Sequence, residues 1–510
     1  MRRILRASCV LILVCATVSS ASGAGKAKLV KTSSGSLSTG FVFVPMSSSA
    51  DNQIEFEHMR SAGANLVRIN VYWSTVAPPT EPAGFKPRDP ADPNYQWQSI
   101  DDAVKAATDS GLEPILLFVS APTWAEGANA SSFDAGTDEP SPSALGDFAT
   151  AAAQRYKGDF VMSGEKLPRV RYWGVWNEPN LNPYLSPQHK NGKPFAPQHY
   201  RLMVNHVADA VHAVHSDNVV IAGDTAPFGV ARANHDATTP LVFMEDVLCI
   251  AEKKVVDKRT KKISIVYRSA CKKKTKFDIW SHHPYTEGGP TRRAKVHGDA
   301  SLGDMGDIRM VLNAAIEANH VVSSRNVKLW VTEFSWDSNP PDPKGVPISL
   351  EARWVSEMLY RMWANGVSLV LWWQIRDEPF PSSYYQSGLY YLGADGIASD
   401  RPKPALRAFR FPFVALRIPK NKVRIWGRTP NRAPGTVLVE RASGAQWKKV
   451  GTLRAIGYGI FQSLIPKPRN TVYLRARLSG GNDASVPFSL NAPTKTWIGC
   501  VWGSCTLSSG

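Results

Sequence analysis

The most constraining feature of this sequence is the regular alternation of two kinds of segment between Gly40 and Arg410. Short apolar, β-branched runs typical of strands alternate with longer stretches whose apolar residues recur with helical period. The predicted strands number eight: 41–44, 65–72, 113–119, 170–176, 219–223, 277–281, 328–332 and 368–374. Predicted helices include 97–110, 143–156, 197–215, 304–319 and 350–364. Eight such units predict an α/β fold, a (β/α)8 TIM barrel over residues 40–410.

A doubly wound open sheet is the alternative architecture for such an alternation. That fold usually carries a Gly-rich phosphate-binding turn after its first strand, and no such turn is present here. The closed barrel is therefore the favoured prediction.

The sequence changes character after Arg410. Residues 411–490 contain short alternating segments at 422–427, 436–441, 447–452, 459–465, 472–477 and 485–490, separated by Pro, Gly and Asn. This pattern predicts a C-terminal antiparallel β-sandwich domain. Residues 491–510 form a tail that holds two tryptophans and two cysteines.

The N-terminus has the three parts of a secretory signal peptide. Arginines precede an apolar stretch from Ala7 to Val18, and small residues follow it. We expect residues 1–24 to be removed and residues 25–39 to form a flexible leader. No run is long enough for a comfortable membrane span. These features predict a secreted, extracellular protein without a membrane span.

The net charge of +17 is unevenly distributed along the chain. Residues 411–510 hold 15 Lys and Arg against 2 acidic residues, and the insertion 252–276 holds 11 against 2. The rest of the barrel is acidic, which argues against a nucleic-acid enzyme. The basic C-terminal domain, with Trp426 and Trp447, is expected to bind an anionic glycan or wall polymer. The alternative is a solvated domain that only packs against the barrel.

Four cysteines remain after signal cleavage, and an oxidising compartment favours disulfides. Cys249 and Cys271 bracket most of the basic insertion, whereas Cys500 and Cys505 would close a short terminal loop. Four cysteines permit three pairings. A zinc site is the alternative, but the wide spacing and the absence of a nearby histidine pair disfavour it.

Two strand ends carry the residues expected to perform chemistry. The fourth strand runs into Asn177-Glu178-Pro179, and the seventh runs into Thr332-Glu333-Phe334. Active sites of (β/α)8 barrels form where the strands end, so the two glutamates are expected at one opening. For either glutamate alone, an ordinary role at the end of a strand is the alternative.

Paired carboxylates facing a cleft lined by indoles are suited to the cleavage of glycosidic bonds. One acid protonates the leaving oxygen while the other attacks the anomeric carbon or activates water. Trp124 after the third strand and Trp336 after the seventh are candidate sugar-binding residues, because a sugar ring packs on an aromatic plane.

Between Gly40 and Arg410 the sequence resembles the retaining glycoside hydrolases of clan A. The resemblance implies that Glu178 is the general acid/base, that Glu333 is the nucleophile, and that Asn177 holds the sugar 2-hydroxyl. It also implies an O-glycosyl hydrolase that cleaves β-linked oligo- or polysaccharides by double displacement, without a cofactor.

Other positions match the clan residue by residue. Arg68 resembles its second-strand arginine, and His283 and Tyr285 resemble its His-X-Tyr motif. Trp372 or Trp373 resembles its sugar platform. For Arg68 and either tryptophan, a purely structural role is the alternative.

The chain also departs from the pattern of the clan. The third strand runs into Ser120 and Ala121, without the histidine or asparagine of some cellulase-like members. This favours relatives of families 39 and 5 that act on other substrates.

Two further functional alternatives follow from the sequence. His282 and His283 lack a convergent third ligand, so metal catalysis is not expected. A non-catalytic carbohydrate- or wall-binding barrel is the alternative function, but pure binding would not require both glutamates.

Overall fold

The structure is a computed structural model that describes residues 28–46, 48–128, 135–229 and 237–491. The predicted signal peptide and the cysteine pair Cys500 and Cys505 lie outside the described residues. In the described part of the chain, no helix combines the length and the apolar character that a membrane crossing requires.

Eight parallel strands form a closed barrel, and each pairs with its neighbours in sequence, with the eighth returning to the first. Their bounds are β1 Ser38–Val42, β2 Leu66–Tyr72, β3 Glu113–Val119, β4 Tyr172–Val175, β5 Val219–Thr225, β6 Ile279–His282, β7 Lys328–Val331 and β8 Val367–Trp372. The predicted (β/α)8 barrel is confirmed, and the open sheet is excluded.

One helix follows each strand and covers the outside of the barrel. These helices are α1 Ser49–Ser61, α2 Gln98–Asp109, α3 Pro142–Arg155, α4 Ala196–Val214, α5 Pro240–Leu248, α6 Met305–Glu317, α7 Ile348–Ala364 and α8 Pro404–Arg410. Helix α3 shows why such segments begin where they do. The Ser141 hydroxyl accepts the Ala144 backbone N–H, and Pro142 occupies the first turn.

Two apolar layers hold the barrel together. Alternate strand residues fill its interior, including Leu66, Ile115, Ile221, Leu369 and Leu371. The other strand residues pack beneath the helices in a larger core that continues into the C-terminal domain. This alternation follows from the two-residue period of a strand.

The C-terminal region consists of two antiparallel sheets, as the predicted sandwich requires. Their strands are β9 Phe413–Ile418, β10 Lys422–Arg428, β11 Gly435–Ser443, β12 Gln446–Ala455, β13 Ile460–Pro466, β14 Tyr473–Leu478 and β15 Phe488–Ser489. One sheet has the order β9-β10-β13 and the other β12-β11-β14-β15. The sequence pattern did not predict β9.

Short elements lie in the connections. The two-residue strands are Val161–Met162, Glu165–Lys166, His189–Lys190, Lys193–Pro194, Thr275–Lys276, Val321–Val322, Ser338–Asn339, Val346–Pro347, Tyr390–Tyr391 and Arg401–Pro402. The short helical turns are Trp73–Val76, Thr123–Ala125, Leu302–Asp304, Ile397–Ser399, Pro430–Arg432 and Gly457–Gly459.

The sandwich packs tightly against the barrel. Trp426 is fully buried, with its ring 5.5 Å from those of both Tyr360 and Trp363 on α7. Arg428 is also buried and donates to the Leu37 carbonyl at 3.0 Å. The expectation that Trp426 contacts a polymer therefore needs correction, because its indole belongs to the interface with the barrel.

The basic insertion forms a two-stranded antiparallel hairpin, which we call the insertion hairpin, with strands Ile250–Val256 and Ile263–Ser269. Cys249 and Cys271 form a disulfide at its base, with their Cα atoms 5.0 Å apart. Of the pairings that four cysteines permit, the structure thus contains the one that closes this insertion.

The segment before β1 is packed against the barrel. Leu37 is fully buried, and the Val30 backbone N–H donates to Asn313 Oδ1 on α6 at 2.8 Å. The prediction of a flexible leader over residues 25–39 therefore needs correction from Val30 onward.

Candidate active site

Strand ends bring the predicted catalytic glutamates to one end of the barrel, which we call the mouth. Strand β4 stops at Val175 because Trp176 and Glu178 take left-handed backbone angles, with φ of 65° and 42°. The Glu178 backbone N–H donates to the Asp224 carbonyl at 2.9 Å. Glu333 lies two residues beyond the end of β7.

The two carboxyl groups face each other. Glu178, His283 and Glu333 each contribute a polar side-chain atom to a cluster in which all three atoms lie within 4.8 Å of one another. The Glu178 and Glu333 side chains are each 13% exposed. A single anomeric carbon at the mouth can therefore be reached by both carboxylates.

Glu333 is surrounded by groups that favour its ionised form. Arg68 Nη2 donates to Glu333 Oε2 at 2.7 Å, and the Tyr285 hydroxyl donates to Oε1 at 2.9 Å. Burial alone would raise the pKa of Glu333. The neighbouring His283 and Arg68 and the two hydrogen bonds outweigh burial and hold the pKa of Glu333 below its usual value.

Glu178 is in a different environment. Its Oε1 forms a hydrogen bond of 3.1 Å with His283 Nδ1. Burial raises the pKa of Glu178 above its usual value, the nearby Glu333 charge adds to this, and His283 offsets only part of it. Two carboxyl groups whose pKa values shift in opposite directions are typical of an acid and nucleophile pair.

His283 lies between the two glutamates. Burial alone would lower its pKa, but Glu333, Glu178 and Asp224 together raise the pKa above its usual value. His282 is different, because its ring bonds to the Ala300 carbonyl and the Thr225 hydroxyl, each at 2.8 Å. Burial lowers the pKa of His282 to about 3.

His282 and His283 therefore bond to different partners and do not act as a pair. The group that converges is Glu178, His283 and Glu333, which share a geometry that a metal ion could also use. In the described site, the Arg68 guanidinium already supplies a positive charge at Glu333. The two facing carboxyl groups suit acid and nucleophile chemistry.

Asp224, at the end of β5, is a site residue that the sequence pattern did not reveal. Its Oδ2 lies 3.7 Å from Arg68 Nη1, and its Oδ1 accepts the Thr332 hydroxyl at 2.6 Å. The Ser281 hydroxyl also donates to Oδ1. No local sequence pattern predicts that Asp224 belongs to the site. Its partners Arg68, Ser281 and Thr332 lie in or just beyond three other strands, which only the fold brings together.

Asn177 lies beside Glu178 on the same strand end. Its Oδ1 is buried and has no hydrogen-bond partner among the described residues. An unsatisfied buried amide oxygen next to the two facing glutamates is available to accept a hydrogen bond from a hydroxyl group of a ligand.

Trp372 and Trp336 need correction as sugar-binding residues. Trp372 is fully buried because it shares the helix-facing side of β8 with Val370, and its Nε1 donates to the Ser387 carbonyl at 2.7 Å. Trp336 is 6% exposed and packs edge-on against Phe334. Both indoles belong to the core between the barrel and its helices.

Trp373 and Trp124 remain partly exposed. Trp373 lies just beyond the end of β8, and its ring is 5.8 Å from that of Tyr385. Trp124 packs edge-on against Trp73, and its Nε1 donates to the Pro78 carbonyl at 2.8 Å. Trp373 is therefore the strand-eight indole that is placed to contact a sugar.

Tyrosines at the mouth are a second set that sequence reasoning missed. Tyr184 follows β4 and is 39% exposed, and Tyr385 follows β8 and is 48% exposed. Burial raises the pKa of Tyr184, and the charges of Glu178 and Glu333 raise it further. The signal was present in the sequence as aromatic residues in strand-end loops, but the rings predicted to pack against a sugar were all tryptophans.

Comparison with known proteins agrees with this geometry. The family model described as cellulase (glycosyl hydrolase family 5) matches residues 30–378. A sequence search of curated proteins finds no match.

Solved structures that match this chain include three of family 39 enzymes. A family 39 glycoside hydrolase from Bacteroides cellulosilyticus WH2 is 16% identical with a TM-score of 0.49, over 85% of this chain and 80% of that one. A GH39 enzyme from Xanthomonas axonopodis pv. citri is 15% identical with a TM-score of 0.46, over 86% and 93%. A GH39 β-xylosidase from Caulobacter crescentus is 19% identical with a TM-score of 0.45, over 82% and 84%.

The family match covers most of the barrel and includes every residue of the charged cluster at the mouth. The resemblance to clan A is thereby confirmed, and the activity class is that of an O-glycosyl hydrolase. The chain belongs to the cellulase family, glycosyl hydrolase family 5.

Proposed function

We propose that this protein is a secreted retaining glycosidase that cleaves β-linked oligo- or polysaccharides by double displacement. Glu333 is the nucleophile and Glu178 is the general acid/base. Arg68 and Tyr285 hold Glu333 ionised, and Asn177 receives a hydroxyl of the sugar.

In the first step the two carboxyl groups act together. A Glu333 oxygen forms a bond to the anomeric carbon as the glycosidic C–O bond breaks. The leaving oxygen takes the proton of Glu178, so the aglycone departs as a neutral alcohol. The product is a glycosyl ester on Glu333 and a Glu178 carboxylate.

In the second step Glu178 acts as a base. Its carboxylate takes a proton from water, the water oxygen attacks the anomeric carbon, and the ester bond to Glu333 breaks. The change of role has a physical cause. Esterification removes the negative charge of Glu333, which is one of the groups that raise the pKa of Glu178.

The observation that carries the proposal is the short separation of the two carboxyl groups, whose facing oxygens lie within 4.8 Å. Retaining glycosidases place these groups roughly 5–5.5 Å apart, whereas inverting enzymes leave about 6.5–9.5 Å for a water molecule. The geometry thus favours direct attack by a carboxylate.

The aromatic residues at the mouth support a saccharide ligand. Trp373, Tyr184 and Tyr385 offer partly exposed rings on which a sugar face could pack, and Tyr184 and Tyr385 also offer hydroxyls for hydrogen bonds. The proposed anionic-glycan partner of the sandwich would use exposed bases such as Lys448 and Lys449 on β12.

The stereochemistry of hydrolysis tests the proposal. A panel of aryl β-glycosides identifies a substrate, and proton NMR of the first product gives its anomeric configuration. We expect the β-anomer to form first and then to mutarotate. Initial release of the α-anomer would contradict the proposal.

A further inference from the structure

The insertion hairpin presents a concentrated positive charge that the active site does not use. We call its outer part, residues 253–265, the hairpin tip. The hairpin tip carries six exposed basic residues: Lys253, Lys254, Lys258, Arg259, Lys261 and Lys262. Its one acid, Asp257, accepts the backbone N–H groups of Arg259 and Thr260 at 2.9 and 2.6 Å and so shapes the turn. Among the described residues, none of the six bases forms an ion pair with a carboxylate.

The same tip exposes aliphatic side chains. Val256, Ile263 and Ile265 are 54%, 67% and 44% exposed. Val256 pairs with Ile263, and Ile265 lies two residues further along the same strand, so the three share one face of the hairpin. Exposed β-branched residues grouped within a basic surface are uncommon on a solvated loop and indicate a contact site.

The base of the hairpin is fixed, in contrast to its tip. The Cys249–Cys271 disulfide closes the base, Ile250 is buried, and the Ala270 backbone N–H donates to the Cys249 carbonyl at 2.7 Å. Tyr267 packs against the main core. The Glu252 backbone N–H donates to Glu245 on α5 at 2.9 Å. The tip therefore projects from a rigid support.

We propose that the hairpin tip docks on a lipid bilayer that contains anionic lipids. The ammonium and guanidinium groups meet the headgroup phosphates, while Val256, Ile263 and Ile265 enter the boundary between headgroups and acyl chains. An anionic polymer would satisfy the positive charges but leave the aliphatic side chains in water. The combination of both features favours the bilayer over a polyanion.

Vesicle sedimentation of the full-length protein tests the proposal independently of glycosidase activity. We expect binding to vesicles of phosphatidylglycerol mixed with phosphatidylcholine, weaker binding at high salt, and no binding to phosphatidylcholine alone. Lys258→Glu/Lys261→Glu should weaken binding about tenfold or more. The matched control Lys166→Glu/Lys328→Glu, at exposed positions of the barrel outside the hairpin tip, should leave most of the binding intact.

A second variant distinguishes binding to a bilayer from binding to a polyanion. Val256→Ser/Ile263→Ser keeps every charge, so it should lose vesicle binding by about tenfold while its elution from a heparin column is unchanged. Both side chains are exposed, so the melting temperature should not fall. Unchanged vesicle binding by this variant, or equal vesicle binding by all variants, would overturn the proposal.

Discussion

Five ionisable side chains meet at the centre of the mouth, and their arrangement explains why the pKa values of the two glutamates shift in opposite directions. Arg68 contacts both Glu333 and Asp224, while His283 lies between Glu178 and Glu333. The Arg68 guanidinium beside Glu333 favours its ionised form. For Glu178, the largest influence is burial, which raises its pKa. In the proposed mechanism the same residue type serves as the nucleophile at one position and as the acid at the other because of these neighbours.

The hydrogen bond from Tyr285 to Glu333 gives a prediction for the pH dependence of catalysis. Tyr285→Phe removes a donor to the carboxylate, so the pKa of Glu333 should rise. The acidic limb of the kcat/KM profile should then move to higher pH, and kcat/KM at the optimum should fall by about tenfold or more. Tyr72→Phe, at the exposed end of β2, serves as the control. An acidic limb that does not move would contradict the assigned role of Tyr285.

A buried carboxyl group away from the site gives a prediction for stability. Glu351 on α7 is fully buried, and neither of its oxygens has a hydrogen-bond partner in the described structure. Burial raises the pKa of Glu351 to about 8. The folded protein therefore keeps a proton that the unfolded chain releases, and this contribution to stability is lost as the pH rises from about 4.5 to about 8.

Glu351→Gln removes this ionisation. The melting temperature of the wild type should decline more steeply between pH 5 and pH 8 than that of the variant, measured by calorimetry. The exposed Glu113→Gln serves as the control. Parallel curves for wild type and Glu351→Gln would contradict the assigned protonation.

At the scale of single elements, sequence patterns located the strands better than their ends. Strand β3 matches its predicted bounds, because an apolar run ends at the turn around Ser120. Strand β4 ends before Trp176 although the apolar run continues. Strand ends depend on neighbouring strands and on backbone angles, and these are not encoded in local periodicity.

The same limit applies to the site residues. Glu178, Glu333, Arg68, His283 and Tyr285 were identifiable because each lies in or beside a recognisable strand motif. The prediction of a sugar-binding role was wrong for Trp372. This residue, the last of β8, is buried in the core, whereas the next residue, Trp373, is partly exposed. Register decides which indole faces the mouth, and register depends on tertiary packing.

The insertion hairpin gives a prediction at this scale. Cys249→Ser opens a disulfide whose cysteines are 22 residues apart. The chain-entropy model assigns such a loop about 3 kcal/mol of unfolding free energy. Chemical denaturation should show a loss of this order, while activity at the mouth is retained at low temperature. A loss of activity without a loss of stability would contradict a purely structural role.

At the scale of the whole molecule, the sandwich and the barrel share one apolar core. Arg428 is buried at their interface, where its guanidinium donates to the Leu37 carbonyl, the Thr39 hydroxyl and the Phe409 carbonyl. Trp426 fills the space against α7. We therefore expect the two parts to unfold together.

Trp426→Ala tests this coupling. Removing the buried indole should cost about 3 to 5 kcal/mol and lower the melting temperature of the barrel as well as the sandwich. Trp447→Ala, on the outer strand β12, should cost less than about 1 kcal/mol. Two separate transitions, with the barrel unaffected by Trp426→Ala, would contradict a shared core.

The central claim is that Glu333 attacks the sugar and Glu178 does not, and trapping of the covalent intermediate tests it most directly. A panel of 2-deoxy-2-fluoro β-glycosyl fluorides is incubated with the protein, and the labelled peptide is located by mass spectrometry. We expect a stoichiometric label on Glu333 in the wild type and no label on that peptide in Glu333→Gln. A label on Glu178 or on a carboxylate outside the mouth would contradict it.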